Sequence, residues 1–465
     1  MAKIHFIGVG GIGMSGLASI HIARGDRVTG SDLGENGLTR GLLTAGADIV
    51  KGHAASNVPS DADLVVRSTA IRDDNPEVIK SREFGIPVIF RADMLKALVE
   101  GTPLSIGVTG THGKTTTSSL IACMLDVAGK DPTVLVGGEV SRFASNARAG
   151  KGGIVVAEVD ESDGHFRKMS VTCAVVTNIE RDHMEHHGSW EGLVGAFDEF
   201  LSRVPDNGLI IYCKEDETLR RMVPGKRARK VSYGIGGAYD YTCVLPAHEK
   251  SICFDLLVRG KKTARVESPL IGRHNVLNIL GGLAASLEMG ADTAKALEGL
   301  AGFGGIKRRF ELVGKARGVE IREDYAHHPT EIKAVIKAAR DYTGGRVITV
   351  FQPHRYSRTK DLLEEFAECF YSSDVLVLTD IYSAHEDPAE MLTTGAMYDL
   401  IDSKRFKRIA MVEKNNVPEF VSGLVKKNDL VLVLGAGDIR EQAAPLLKAI
   451  EEGKKGKIEI KRKDG

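Results

Sequence analysis

The sequence predicts an α/β protein in three parts, and three observations carry that prediction. Apolar strand-like runs alternate with helical patterns from end to end, which gives parallel sheets with right-handed crossovers. A chain of 465 residues has the length for about three domains. Glycine-rich junctions, Gly101-Thr102-Pro103 and Gly302 to Gly305, punctuate it. The expected parts are 1–102, 103–307 and 308–465.

The first part opens on IHFIGVGGIGMSGLA: an apolar strand, a glycine loop and a helix start. Gly8, Gly10 and Gly13 fit G-x-G-x-x-G, and Asp32 closes the next apolar stretch about 20 residues on. Such a loop presents a nucleotide diphosphate to the first helix N-terminus. Strands DLVVRST (63–69) and IPVIF (86–90) extend a Rossmann-like parallel sheet. A dehydrogenase uses the same glycines, but no constellation for hydride transfer follows them.

The second part carries the most specific motif, VTGTHGKTTTSSL (108–120). The apolar run Leu104 to Val108 enters as a buried strand, and the helix opened by Lys114, Thr115 and Thr116 continues through Leu125. Between them Gly110 and Gly113 give a loop whose amides, with the helix dipole, cradle phosphate. Lys114 adds a point charge for the β/γ-phosphates and Thr115 a hydroxyl for Mg²⁺. The common G-x-x-x-x-G-K-[ST] pattern needs Gly where Val108 stands, so this P-loop ATPase-like domain has a shorter variant, TGTHGKT. Strands follow at 152–162 and 171–179. Residues 229–270 read as a small antiparallel addition, and 271–286 as a helix led by a polar loop.

The third part repeats the βα alternation, with GVEIREDYA, RVITVFQ, DVLVLTDI and DLVLVLGAG as strands of a C-terminal Rossmann-like domain. Three such domains joined at glycine-rich hinges lead us to expect a site in a closing cleft.

Composition narrows the class. Hydrophobic residues make up 43% and charged residues 27%, enough for a full core. Lys+Arg and Asp+Glu both number 62, which argues against nucleic acid or an anionic membrane as the main partner. Cysteines 123, 173, 213, 243, 253 and 369 show no C-x-x-C and read as core residues in a reducing cytosol. The start lacks the layout of a signal peptide, and no run of 18 apolar residues occurs. The Lys-rich tail from Glu451 is expected to be solvated.

Chemistry-bearing groups gather at strand ends, where ligands collect in open α/β sheets. AEVDESDG (157–164) supplies Glu158, Asp160, Glu161 and Asp163, either as metal-reaching carboxylates or as an exposed acidic turn. Strand alternation sets Glu158 and Asp160 on one face and Glu161 on the other. TNIERDHMEHH (177–187) holds His183, Glu185, His186 and His187, with three readings: a ligand of a second Mg²⁺ at His183, zinc, or solvated histidines. In GRHNVLN (272–278), Asn275 reads a purine edge or caps the helix. IKRRFE (306–311) puts a guanidinium on the second hinge. EDYAHHPTE (323–331) carries Asp324, Tyr325, His327 and His328. FQPHRYSRT (351–359) carries His354, Arg355 and Arg358, whose two arginines suit a carboxylate substrate.

These seven motifs, in this order over essentially the whole chain, resemble the Mur ligase family, ATP-dependent enzymes that build the peptide of bacterial peptidoglycan. The resemblance implies an ATP-dependent carbon–nitrogen ligase joining L-alanine to the lactyl carboxylate of UDP-N-acetylmuramate through an acyl phosphate. It places ATP on Gly110, Thr111, His112, Gly113, Lys114, Thr115 and Thr116, with Asn275 at adenine, Arg309 at the phosphates and Asp324 at the ribose. It assigns Mg²⁺ to Thr115, Glu158 and His183, and catalytic roles to Lys114, His183, Arg309 and His327. Gly10, Gly11, Ile12 and Gly13 would face the UDP diphosphate, with Ser68, Thr69 and Arg91 nearby. Tyr325, His327, Arg355 and Arg358 would surround alanine. A cytoplasmic monomer or homodimer is expected.

The sequence departs from the family in two places. Several siblings carry a carbamylated lysine near the metals, but residues 177–187 hold no lysine and Arg181 is no substitute, so that feature is not carried over. The stretch 380–390 fits only loosely, with His385 near a position expected to be Gly, and is left unassigned. Three rivals stand beside this reading: a recycling ligase adding a tripeptide to the same UDP-sugar, an NAD-dependent oxidoreductase resting on Gly8, Gly10 and Gly13, and a non-catalytic nucleotide-binding regulator.

Overall fold

The computed structural model describes residues 1–162, 164–245, 251–384, 386, 393–402 and 405–454. Asp163, His385 and the end of the Lys-rich tail therefore lie outside the described residues.

The strands form three sheets. The first contains β1 (Lys3–Ile7), β2 (Arg27–Asp32), β3 (Asp48–Lys51), β4 (Leu64–Arg67) and β5 (Val88–Phe90), in the order β3-β2-β1-β4-β5 and parallel throughout. The second contains β6 (Leu104–Thr109), β7 (Thr133–Val140), β8 (Ser145–Arg148), β9 (Ile154–Glu158), β10 (Cys173–Val176), β11 (Leu209–Cys213), β12 (Arg229–Ile235), β13 (Tyr241–Val244), β14 (Ile252–Val258) and β15 (Lys261–Ser268). Its order is β15-β14-β13-β12-β11-β10-β6-β9-β7-β8. The third contains β16 (Glu311–Ala316), β17 (Val319–Asp324), β18 (Val347–Phe351), β19 (Val375–Leu378), β20 (Arg408–Met411) and β21 (Leu430–Leu434), in the order β16-β17-β21-β18-β19-β20. The expected α/β class with three sheets, the N-terminal one parallel, is borne out.

One expectation needs correction. Residues 229–270 are not antiparallel throughout. β12 runs parallel to β11 and β13 parallel to β12, and the direction reverses only at β14. Tyr233 and Tyr241 are buried with this sheet, so the parallel layer continues further than the glycine-broken pattern suggested.

The chain divides into two compact units. One holds Met1–Ala247, Cys253–Ser268 and Leu277–Gly304, with the first two sheets. The other holds the third sheet together with Pro269–Val276, which precede the Gly302–Gly305 junction. Gly272 belongs there because its Cα lies against α-helical Ala338, where an added Cβ would sit 2.8 Å from the Ala338 methyl.

Packing overrides local preference at the helix after β6. Lys114–Val127 carries TTTSS after its first residue, weak helix formers, yet every residue from Thr115 to Leu125 is buried. The helix persists because its surroundings hold it. In the first unit, helix Ile12–Ala23 packs against β7 and β8 through Gly16, where a Cβ would lie 2.3 Å from Leu135 Cδ1. The six cysteines are free, five of them buried. Among the described residues, no helix is long and apolar enough to cross a membrane.

Candidate active site

The phosphate loop is pinned by the next strand end. Gly110 has φ +126°, and a Cβ there would sit 2.2 Å from Thr177 Oγ1. Gly113 caps the helix in the left-handed region, where a Cβ would meet Asn278 Oδ1 at 2.4 Å. Both positions need glycine for conformation and for space. Asn178 holds the loop between them: its carbonyl accepts the Thr111 N–H at 3.0 Å, its Oδ1 accepts the His112 N–H at 2.8 Å, and its Nδ2 donates to His112 O at 3.0 Å. Thr177 Oγ1 donates to His112 O at 2.6 Å. Thr111 and Glu180 exchange bonds, Glu180 N donating to Thr111 Oγ1 at 2.8 Å. Thr115 and Thr116 are buried in the first helical turn. Thr177, Asn178 and Asn278 lie within the motifs at 177–187 and 272–278, yet the sequence reading gave them no role, because their partners in the loop are distant in sequence.

Lys114 turns back into the loop. Its Nζ donates to Gly110 O at 2.7 Å, Thr111 O at 3.0 Å and Glu161 Oε1 at 2.8 Å. Burial opposes its charge, but Glu161, Asp160 and Glu158 outweigh burial and hold the ammonium above its ordinary range. Burial lifts the Glu161 carboxyl to about 7 against the pull of Lys114, with Asp160 adding to the rise.

Asp160 and Glu161 lie beyond the strand. β9 ends at Glu158, so the expected two-face split of Glu158, Asp160 and Glu161 does not arise. Glu158 Oε2 accepts the Gly137 N–H at 2.7 Å, a close approach that a Cβ at Gly137 would fill. Asp160 lies 4.0 Å from Arg91 Nη2, and its Oδ1 accepts the Ser162 N–H at 3.1 Å. Glu161 is only 2% exposed, and its Oε2 is buried without a hydrogen bond. That orphaned oxygen, on a carboxyl whose charge Asp160 and His183 both act on, suits a hard divalent cation such as Mg²⁺. His183 sits at the N-cap of helix Met184–His187 with φ +56°, close enough to Glu161 to stabilise its charge. The His187 Nε2 lies 2.9 Å from Glu161 O, so that ring braces the acidic segment. His186 is exposed.

The first glycine loop is built differently. Gly11 caps helix Ile12–Ala23. The Gly10 N–H donates to Asp32 Oδ2 at 2.8 Å, and Asn36 Nδ2 donates to Gly10 O at 3.1 Å. In a dinucleotide site the corresponding acidic residue faces a ribose hydroxyl; here it ties down its own loop. Arg91 lies over Gly13, where a Cβ would be 3.0 Å from its Nη1, and the Ser68 Cβ would be 3.5 Å from one at Gly8. Thr69 is exposed beside Ser68. Gly10, Gly11, Ile12, Gly13, Ser68, Thr69 and Arg91 are thus gathered at one end of the first sheet.

In the other unit, Asp324 ends β17 and is 5% exposed. Its Oδ2 accepts the Phe310 N–H at 2.8 Å and its Oδ1 the Ala326 N–H at 2.7 Å. Burial raises this carboxyl to about 6, and Arg309 lowers it only in part. Arg308 and Arg309 lie over the Tyr325 ring, 4.5 and 5.5 Å from its centroid. Arg309 Nη1 is 3.9 Å from Glu331 Oε1. Asn275 Nδ2 donates to Ile271 O at 2.8 Å, and burial with Arg309 lowers its neighbour His274 to about 4. His327 Nδ1 is 3.0 Å from Tyr325 O, and its ring lies 6.0 Å from His354. Arg358 is buried, with Nη1 3.4 Å from His354 Nδ1, and Arg355 caps helix Tyr356–Asp361 at φ +70°. His327, Arg355 and Arg358 therefore lie around one histidine, His354, and Tyr325 packs edge-on against His327. Lys114, Glu158 and His183 lie in the first unit, whereas Asn275, Arg309 and Asp324 lie in the second.

Family comparisons follow this geometry. A model described as Mur ligase family, catalytic domain, matches residues 3–102; the Mur ligase middle domain matches 108–286; the Mur ligase, glutamate ligase domain matches 308–437. A curated relative from Anaeromyxobacter sp., named UDP-N-acetylmuramate–L-alanine ligase, is 43% identical over 451 residues, covering 97% of this chain and 98% of its own. A relative of the same name from Geotalea daltonii is 42% identical over 452 residues, with the same coverage. The crystal structure of the UDP-N-acetylmuramate-alanine ligase MurC from Thermotoga maritima matches with a TM-score of 0.82 and 30% identity, over 98% of this chain and 100% of that one. The chain belongs to the Mur ligase family.

Proposed function

We propose that the chain is an ATP-dependent ligase joining L-alanine to the lactyl carboxylate of UDP-N-acetylmuramate, with release of ADP and phosphate. The observation that carries this reading is Lys114: a charged, buried lysine on a glycine loop, in a chain whose near-full-length relatives bear that enzyme's name. Those names also support alanine over the tripeptide of a recycling ligase.

In the first step two anions meet, a carboxylate and the γ-phosphate, so the barrier is electrostatic. Gly110 to Thr116 cradle the phosphates and Lys114 keeps its charge among them. Arg309 adds a guanidinium, Asn275 reads adenine, and each Asp324 oxygen retains a second lone pair for a ribose hydroxyl. Thr115, Glu158 and His183 would hold Mg²⁺, which neutralises phosphate charge when bound. In the second step the alanine amine attacks the acyl phosphate. An arginine of the 355/358 pair takes the alanine carboxylate in a bidentate fork. The Tyr325 carbonyl can only accept, so His327 donates to it from Nδ1, which fixes the ring beside the residues that would take the amino acid. Residues 1–102 hold the UDP-sugar, 103–307 the ATP and 308–465 the amino acid. The chemistry fits a cytoplasmic enzyme acting as a monomer or homodimer.

The test is phosphate release with ATP, Mg²⁺ and UDP-N-acetylmuramate across a panel of L-alanine, glycine, L-serine and a muramyl-type tripeptide. L-alanine is expected to give the highest kcat/KM. Preference for the tripeptide, or release without the sugar nucleotide, would overturn the reading.

A further inference from the structure

The motifs assign nothing to the stretch after β19, yet two of its residues, Tyr382 and Glu386, are fastened to the arginine loop. Tyr382 N donates to Pro353 O at 2.8 Å, and Arg355 N donates to Tyr382 O at 2.8 Å, forming a parallel bridge between His354 and Tyr382. Glu386 accepts twice from Ser357: Oε1 from the hydroxyl at 2.6 Å and Oε2 from the N–H at 3.1 Å. The Tyr382 ring stacks on His354 with centroids 5.5 Å apart and planes 15° apart. Gly437 lies against the same ring, where a Cβ would fall 2.7 Å from Tyr382 Cγ.

These contacts enclose a strained residue. Arg355 has φ +70° and ψ +137°, a region that non-glycine residues avoid. Such a conformation persists only where its surroundings over-determine it. Four hydrogen bonds from residues 353–357 to residues 382 and 386 supply that determination on both sides of Arg355.

We propose that Tyr382 and Glu386 form a clamp that fixes the arginine loop for amino-acid recognition, acting as positioning residues. The proposal rests on the assignment of Arg355 and Arg358 to the amino-acid carboxylate. Both residues act through the loop. Tyr382 orients His354, which accepts from Arg358, and Glu386 anchors the helix start that Arg355 caps.

The experiment measures KM for L-alanine, ATP and UDP-N-acetylmuramate in the full chain and in Tyr382→Ala, Tyr382→Phe, Glu386→Ala and Glu386→Gln. Misplacing the arginines by a fraction of an ångström predicts a rise of about tenfold or more in the L-alanine KM for both alanine variants. The other two KM values are expected to stay within about twofold, and Tyr382→Phe, which keeps the stack, to recover the L-alanine KM. Where Tyr382→Ala does not fold, Ser357→Ala removes only the hydroxyl bond to Glu386 and gives the same split on a smaller scale. An unchanged L-alanine KM, or three KM values rising together, overturns the clamp while leaving the ligase reading intact. A wild-type chain that releases no phosphate with L-alanine overturns both.

Discussion

Two strand–glycine–helix junctions in this chain satisfy their backbones in opposite ways. At residues 8–13 a carboxylate closes the loop: Asp32 accepts the Gly10 N–H, and the nearby cation, Arg91, comes from another helix. At residues 110–114 an ammonium closes it: Lys114 sits on the carbonyls of Gly110 and Thr111 and against Glu161. Glycine serves both loops, but the helix caps differ: Gly11 is extended and Gly113 is left-handed. On the proposed function, the first loop, with Arg91 beside its helix N-terminus, holds a substrate's diphosphate, and the second, with Lys114, handles phosphate in transfer.

The contrast breaks most visibly at Lys114. Lys114→Ala is expected to lower kcat by about 10²–10³-fold or more, since it removes a preorganised charge from the transferring phosphoryl group. Circular dichroism and Tm would show the protein still folded. Near-normal turnover would erase the distinction between the loops. Next in size is Gly110→Ala. Its Cβ has no room beside Thr177 and its φ of +126° disfavours any side chain. A loss of about 100-fold in ATP-dependent turnover is expected, with sugar-nucleotide binding retained in a titration.

The same change in the first loop sharpens the comparison. Gly10→Ala puts a Cβ 2.9 Å from Asp32 Oδ2 without a positive φ to violate. A rise of about tenfold in the UDP-N-acetylmuramate KM is expected, with the ATP KM unmoved. If both glycine variants shift the same KM, the two loops do not divide the substrates.

The smallest effect is a pH dependence. Burial, with Arg358 and Arg355, lowers His354 to about 4, against 6.5 when free. Between pH 6.5 and 4 the unfolded chain binds the proton and the folded one does not, so stability contributed by neutral His354 is lost as pH falls through that window. His354→Gln removes one such group and is expected to flatten the fall of Tm over that range. His274, also lowered to about 4, keeps part of the slope.

Much of this was legible because strands ending in glycine, acid or histidine announce themselves. β6 with its glycine loop and the alternation into three sheets follow from local patterns, whereas Ser68 and Arg91 entered only through the family resemblance. The rest depended on contacts distant in sequence. Nothing in the motifs marks Asn178 as the brace of the phosphate loop, because an asparagine after a strand has many ordinary uses. Glu161, rather than Glu158, reaches Lys114 because β9 stops at Glu158, and strand ends are what periodicity defines least well. Asp324 proved to be a double acceptor for backbone amides, a role that only the fold of residues 310 and 326 around it reveals. Tyr382 fell in a stretch with no motif at all, although its ring stacks on His354.

The central claim is that the phosphate loop activates the carboxylate of a substrate whose diphosphate is held elsewhere. Its most direct test is turnover of UDP-N-acetylmuramate labelled with ¹⁸O in the lactyl carboxylate, with ATP, Mg²⁺ and L-alanine. Attack by that carboxylate on the γ-phosphorus, followed by expulsion of phosphate by the amine, carries a labelled oxygen into the released phosphate. Mass spectrometry is expected to find it there. Phosphate free of label would contradict the account.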